Sequence, residues 1–206
     1  MTYGVETDQI YESVLEDFKK MGSGRLRRQV RNVLKLIDLS CNKKIMEIGV
    51  ATGKFTSIMS KQNHVFALDL MFGNLKRTKN AVFELGNVNN LFCVNADCSF
   101  IPFLDSSFDK VVAVDIVEHL SDQIFLELLK EVNRIIKKNG SFYIYTPNLF
   151  HPYELSRPFR PVMRKEHIGV RTRSKLCKIL KKVNFKIIRS YFNNYFRRIS
   201  IEAIKN

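Results

Sequence analysis

The sequence predicts a single α/β domain: a three-layer sandwich in which a mostly parallel, seven-stranded sheet lies between helices and ends in an antiparallel C-terminal hairpin. From residue 43 onward, short runs rich in β-branched and aromatic residues alternate with segments of helical period, the pattern of a sheet covered on both faces. The last two runs flank Asn193-Asn194 and alternate apolar with polar residues, as strands of an edge hairpin do. A chain of 206 residues with 45% apolar and 11% aromatic side chains can fill one such core, but not two.

Taken in order, residues 5–39 read as one or two helices broken at Met21-Gly22-Ser23-Gly24. Strands are expected at 44–48, 64–69, 91–95, 110–115, 141–146, 186–192 and 196–203. Helices are expected at about 53–61, 74–85 and 172–183. A further helix lies before the fifth strand: Ile124, Leu128, Val132, Ile135 and Ile136 recur at helical spacing after Ser121-Asp122, and Asn139-Gly140 supplies the stop. The four prolines of 147–161 predict a long loop, and long loops in compact domains tend to carry function.

The formal charge of +14 is unevenly spread: −5 over 1–18, +8 over 19–44, −2 over 45–156 and +13 over 157–206. Basic ends of this kind attract polyanions, phosphorylated metabolites or acidic membrane surfaces, or simply solvate helix and strand faces. The first residues include acids and no apolar run, and the longest apolar stretch, 111–117, is interrupted by Asp115. Neither a signal peptide nor a membrane span is therefore expected, and the cytoplasm is the default compartment. Cys41, Cys93, Cys98 and Cys177 show no CxxC or Cys/His spacing. They are read as reduced thiols in or near the core, with no metal site expected.

The first strand runs into Met46-Glu47-Ile48-Gly49-Val50-Ala51-Thr52-Gly53-Lys54 and then directly into a helix. Gly49 and Gly53 thus stand where the backbone turns sharply and a ligand approaches closely, and Ala51 is small enough for the same place. A P-loop fails here because only three residues separate Gly49 from Gly53-Lys54 and Phe55 follows; a dinucleotide GxGxxG fails because position 54 is lysine. An E-x-G-x-G-x-G-like loop remains, with alanine at its middle glycine. Asp69 ends the second strand 16 positions after Gly53, placed like the acid that hydrogen-bonds a ribose 2′-hydroxyl, or serving as a strand-end cap. Asp97 follows the third strand in Asn95-Ala96-Asp97-Cys98, where a turn acid is the simpler explanation.

With Asn95-Ala96-Asp97, Ile101-Pro102-Phe103, Ser107-Phe108-Asp109 and Asp115-Ile116-Val117-Glu118-His119-Leu120 following the glycine loop in order, residues 43–192 resemble the class I S-adenosylmethionine-dependent methyltransferases. The likeness is greatest to the small-molecule branch that includes quinone-biosynthesis methyltransferases. It implies a Rossmann-like fold and S-adenosyl-L-methionine as cofactor. By the same resemblance Glu47 and Gly49 through Gly53, Ala51 included, would hold the methionine part. Asp69 would hold the ribose, Ala96 and Asp97 would face the adenine, and Asp115 to Glu118 would border the methyl-transfer pocket. Ala51 departs from the family pattern by one methyl. The domain then comprises an N-terminal helical lid (1–42), a cofactor-binding core (43–150) and a substrate-side loop, helix and edge hairpin (151–206).

Methyl transfer from a sulfonium requires alignment, with a general base added when the acceptor carries a proton. The candidate bases are His119, His151, His167 and Tyr145; His167 and His119 are the catalytic candidates, and packing or capping is the ordinary role of such histidines. Lys165-Glu166-His167-Ile168 with Thr172, and Thr146-Pro147-Asn148, also resemble segments of the small-molecule branch. Arg157, Arg160, Arg164, Arg171 and Arg173 surround the first of these, which predicts an anionic small-molecule acceptor, or else solvated guanidinium groups. No Asn/Asp-Pro-Pro-Tyr/Phe follows the fourth strand and no Pro-Cys pair is present, which argues against DNA-adenine, glutamine or cytosine-C5 methylation. Two rivals stay open. One is an RNA methyltransferase using the basic flanks, with Arg25, Arg27, Arg28, Arg31 and Tyr195-Phe196-Arg197-Arg198; the other is a non-catalytic methyltransferase-like subunit.

Overall fold

The computed structural model describes residues 24–37, 40–84, 88–156 and 166–206. Helix α1 (Gly24–Leu36) precedes β1 (Lys44–Ile48), α2 (Lys54–Met59), β2 (His64–Asp69), α3 (Phe72–Glu84), β3 (Leu91–Asn95) and β4 (Phe108–Val114). Then come a 3-10 turn (Val117–His119), α4 (Asp122–Ile135), β5 (Ile136–Pro147), α5 (Pro152–Leu155), α6 (Arg173–Lys182), β6 (Phe185–Asn193) and β7 (Arg198–Lys205). The seven strands form one sheet in the order β3-β2-β1-β4-β5-β7-β6. Strands β1 to β5 pair in parallel, and β7 runs antiparallel between β5 and β6. This is the expected Rossmann-like sandwich.

Period-2 alternation divides the core. Val111 and Ala113 of β4 point to one face, with Phe142 and Ile144 of β5, where Phe125, Leu128, Leu129 and Val132 of α4 and Leu176 and Leu180 of α6 cover them. Val112 and Val114 point to the other, with Tyr143 and Tyr145, against Val30, Val33 and Leu34 of α1 and Ile58 and Met59 of α2. Helix α4 starts where the sequence placed it, because the Ser121 hydroxyl accepts from the Ile124 amide at 3.3 Å.

Several boundaries differ from expectation. Asn139-Gly140 does not stop α4: the helix ends at Ile135 and β5 begins at once, with Asn139 at φ 61° inside the strand segment. Ile136 pairs with Phe108, so the ladder captures residues whose spacing also suits a helix. Strand β7 starts at Arg198 rather than two residues earlier, because Asn194, Tyr195 and Phe196 all turn through positive φ. Cys41 and Cys93 are exposed, not in the core; Cys98 and Cys177 are half-buried, and none of the four is in a disulfide. The predicted helical signal before Gly24 and most of the loop arginines (Arg157, Arg160, Arg164) lie outside the described residues. Among the described residues no helix is long and apolar enough to cross a membrane.

Candidate active site

In this strand order the chain leaves β1 for β2 and β3, then returns to β4 on the other side of β1. The crevice at the carboxyl ends of β1 and β4 is where ligands bind in sheets of this kind. A cleft of about 550 Å³ opens there, lined by Gly49, Ala51, Leu68, Asp69, Ala96, Asp97, Asp115, Ile116 and His119, among others. Gly49, Ala51, Asp69, Ala96, Asp97 and Asp115 therefore share one wall system, as their positions at successive strand ends require.

Gly49 and Gly53 adopt φ of +75° and +74°, and a Cβ on either would meet Ile116 or Thr78 at under 3 Å. Ala51 is also left-handed, at φ 47°, a conformation that costs a residue with a Cβ about 1 kcal/mol. Its amide donates to Asp69 Oδ2 at 3.3 Å, joining the loop to the end of β2. Asp69 also accepts from the Met71 amide at 2.9 Å and from the Asn74 side chain at 3.1 Å on each oxygen. Asp97 accepts from the Ser99 amide and hydroxyl, which holds its carboxyl below the usual range. It is thus a turn acid and a cleft residue together.

Glu47 lies behind the loop. It is 2% exposed, accepts a hydrogen bond from Thr56 at the start of α2, and is absent from the cleft lining. Burial, reinforced by the negative charge of Asp69 and opposed by the Thr56 bond, pushes its carboxyl up to about 8. Its visible work is to tie β1 to α2 beneath the glycine loop.

A second pocket, of about 400 Å³, is lined in part by residues that hydrogen-bond Asp115. Arg28, Gln29, Tyr145, His151, Asn194, Tyr195, Arg197 and Arg198 line it. Asp115 links the two spaces: Gln29 donates to its Oδ2 and Arg198 to its Oδ1, each at 2.5 Å. These partners are 86 and 83 positions away in sequence, and no local pattern announces them. The antiparallel register does explain Arg198, because it pairs Arg198 with Pro147 and so delivers it to the carboxyl end of the parallel strands. Burial raises the Tyr145 hydroxyl above its ordinary value, so it stays protonated at neutral pH. His151 caps α5, accepting from the Tyr153 amide at 3.2 Å.

The two predicted catalytic histidines meet. His119 and His167 stack edge to face with ring centroids 5.0 Å apart. Glu118 beside them is 2% exposed, accepts from the Thr146 hydroxyl at 2.9 Å and lies 4.0 Å from Arg198. Burial, together with the Asp115 charge, pushes Glu118 up to about 8. Arg171 does not face an acceptor. It is 3% exposed and donates to the carbonyls of Val117, Gly169 and Leu120 and to Asp122. Arg173 donates to the Ser190 carbonyl and stacks over Phe192. The arginines that line the second pocket are Arg28, Arg197 and Arg198, whereas Arg173 lines a separate groove along α6.

Residues 46–144 match the family described as a methyltransferase domain. The chain is 28% identical over 138 residues to phosphoethanolamine N-methyltransferase 1 of Zea mays, covering 65% of this chain and 27% of that protein. It is 23% identical over 156 residues to a ubiquinone/menaquinone biosynthesis C-methyltransferase of a Shewanella species, covering 74% of this chain and 57% of that one. A solved S-adenosylmethionine-dependent methyltransferase from Aquifex aeolicus shares the fold with a TM-score of 0.72 at 18% identity, covering 93% of this chain and 98% of that one. The chain spans 27% of the length of the first of these curated relatives and 57% of the second.

Proposed function

We propose that the chain is a class I S-adenosylmethionine-dependent methyltransferase that transfers a methyl group to a small anionic acceptor; the methyltransferase-domain match and the shared fold support the first part of this reading. The observation that carries this reading is that Asp115, in the wall of a largely apolar cleft, is hydrogen-bonded by Gln29 and Arg198, which line an arginine-rich pocket. When bound, the cofactor supplies an electrophilic methyl carbon on a sulfonium.

The cleft suits the cofactor on three counts. Its volume is in the range of ligand sites. Gly49 and Ala51 of the loop line it where the methionine part would approach. The Asp69 carboxylate stands at the end of β2, where it can accept from ribose hydroxyls once Asn74 turns away. Ile116, Leu120 and Ile124 supply apolar surface for the adenine, with Asp97 at its edge. In the second pocket Arg28, Arg197 and Arg198 attract the acceptor's negative charge, and the presence of Arg28 and Gln29 of α1 in its wall supports the reading of the N-terminal segment as a lid. We assign an acceptor proton to His119, which lines the cleft, or to His167, whose ring centroid lies 5.0 Å from that of His119.

The test is calorimetric titration with S-adenosylhomocysteine, NAD as control and Asp69→Ala as a second sample. Selective binding weakened at least about tenfold by the substitution is expected, since a hydrogen bond to a charged group contributes about 1.5–3 kcal/mol. A folded protein that binds neither ligand sinks the reading. RNA is the second reading, favoured by Tyr195 and Phe196, 91% and 65% exposed beside Arg197 at the hairpin turn, as a stacking surface. RNA affinity that falls steeply with salt and depends on Tyr195 would shift the acceptor class.

A further inference from the structure

Two segments far apart in sequence dock backbone to backbone beside the cleft. The Gly169 amide donates to the Glu118 carbonyl at 2.8 Å, and a Cβ on Gly169 would stand 1.9 Å from the Leu120 carbonyl oxygen. Only glycine allows that approach. The buried Arg171 guanidinium then bridges the carbonyls of Val117, Leu120 and Gly169 at 2.8, 3.0 and 2.6 Å. The clamp holds together the Glu118 carboxylate and the His119 and His167 imidazoles, whose nearest potential ligand atoms all lie within 4.8 Å of one another.

We infer that Glu118, His119 and His167 form a site for a divalent first-row transition ion such as Mn²⁺. Two imidazoles and one carboxylate are a donor set that suits these ions better than Mg²⁺ or Ca²⁺, which prefer oxygen alone. Metal–ligand bonds of about 2.0–2.2 Å bring donor atoms within about 4 Å of each other. A small rotation of the two accessible imidazoles achieves that closure.

The surroundings match what an ion-binding histidine needs. His119 Nδ1 lies 2.8 Å from the Glu166 carbonyl, which can only accept, so Nδ1 carries the proton and the neutral ring offers Nε2 as its lone pair. His167 Nδ1 lies 3.5 Å from the buried Glu154 carboxylate, the carboxylate–histidine arrangement that orients a ligand and strengthens it.

His119 lines the cofactor cleft and Arg198 the cationic pocket, so the ion would stand at their junction. Three protein ligands leave positions open for an acceptor oxygen or nitrogen. The histidines would then hold the ion that orients the acceptor rather than act as free bases. Only this role rests on the methyl-transfer reading; the site itself does not.

The test uses Mn²⁺ alone, followed by electron paramagnetic resonance, since the sharp signal of free Mn²⁺ fades on binding. The wild type, His119→Ala and His167→Ala are titrated after thermal melts show that all three fold; both imidazoles are accessible, and the buried Glu118 is left intact. One ion per chain is expected, with affinity at least about tenfold weaker in each variant. A wild type that leaves the signal unchanged, or variants that titrate like the wild type, overturns the inference. S-adenosylhomocysteine binding is measured on the same samples: its absence beside normal Mn²⁺ binding would defeat the proposed function and leave the ion site standing.

Discussion

Replacing Glu47 by glutamine keeps the side chain's shape and removes its titration. In the folded protein this carboxyl, 2% exposed, is held up to about 8 against an ordinary value of 4.5. The folded state therefore keeps the proton over a range where the unfolded chain has lost it. Below about 4.5 both states are neutral and burial carries no charge penalty; as pH rises toward about 8 the unfolded state is increasingly favoured, and above that the loss is complete. At about 1.36 kcal/mol for each step of one in pKa, the interval amounts to about 5 kcal/mol as an upper bound. The glutamine cannot titrate, and its amide oxygen can still accept from Thr56; its buried NH₂ costs about 1–3 kcal/mol if it finds no acceptor. Glu47→Gln is thus expected to be no more stable than wild type near pH 5 and to gain on it by several kcal/mol by pH 8. Urea denaturation of both proteins at intervals of half a pH unit measures the gap directly. Parallel stability curves, with a gap constant to within about 0.5 kcal/mol, would refute the reasoning.

Ala51→Gly should relieve the left-handed strain at φ 47° and raise stability by about 0.5–1 kcal/mol, less the unfolded-state entropy that glycine adds; a net loss in urea midpoint would show the alanine methyl to be packed rather than strained. Gly53→Ala places a Cβ 2.6 Å from the Thr78 Cα and should cost at least about 2 kcal/mol, read as a lower melting temperature; a melt within about 2 °C of wild type would count against the close approach. Arg171→Met strips donors from three carbonyls and should cost about 3 kcal/mol, at about 1 kcal/mol for each bond, with hydrogen exchange rising at 117–120 and 166–170 before anywhere else. Uniform loss of protection across the sheet would mean that the clamp is not local.

The sheet was legible where turn-forming residues bound short apolar runs. The first three strands end at Ile48, just before Gly49, at Asp69 and at Asn95, and their spans coincide with the expected ones. Legibility failed where one run satisfies two periods, as Ile135-Ile136 does, and where the backbone adopts a conformation its side chains disfavour, as at Tyr195 and Phe196. The cleft was readable because each wall residue follows a strand, so spacing along the chain becomes proximity in space. The second pocket was not: Gln29 and Arg198 reach Asp115 only after α1 and β7 have packed. Arg171 shows the remaining limit, since the same guanidinium can face solvent, a ligand or three buried carbonyls without any change in its neighbours along the chain.

Because β7 lies between β5 and β6, the strand made later bridges two made earlier. During synthesis β6 emerges before β7, the strand it pairs with, while β2 to β5 can pair as each appears. The residues that complete the second pocket, Asn194 to Arg198, arrive with β7 itself. A nascent chain can thus assemble the cofactor side of the site before the acceptor side exists, and Asp115 goes without its Arg198 partner until the last antiparallel ladder closes.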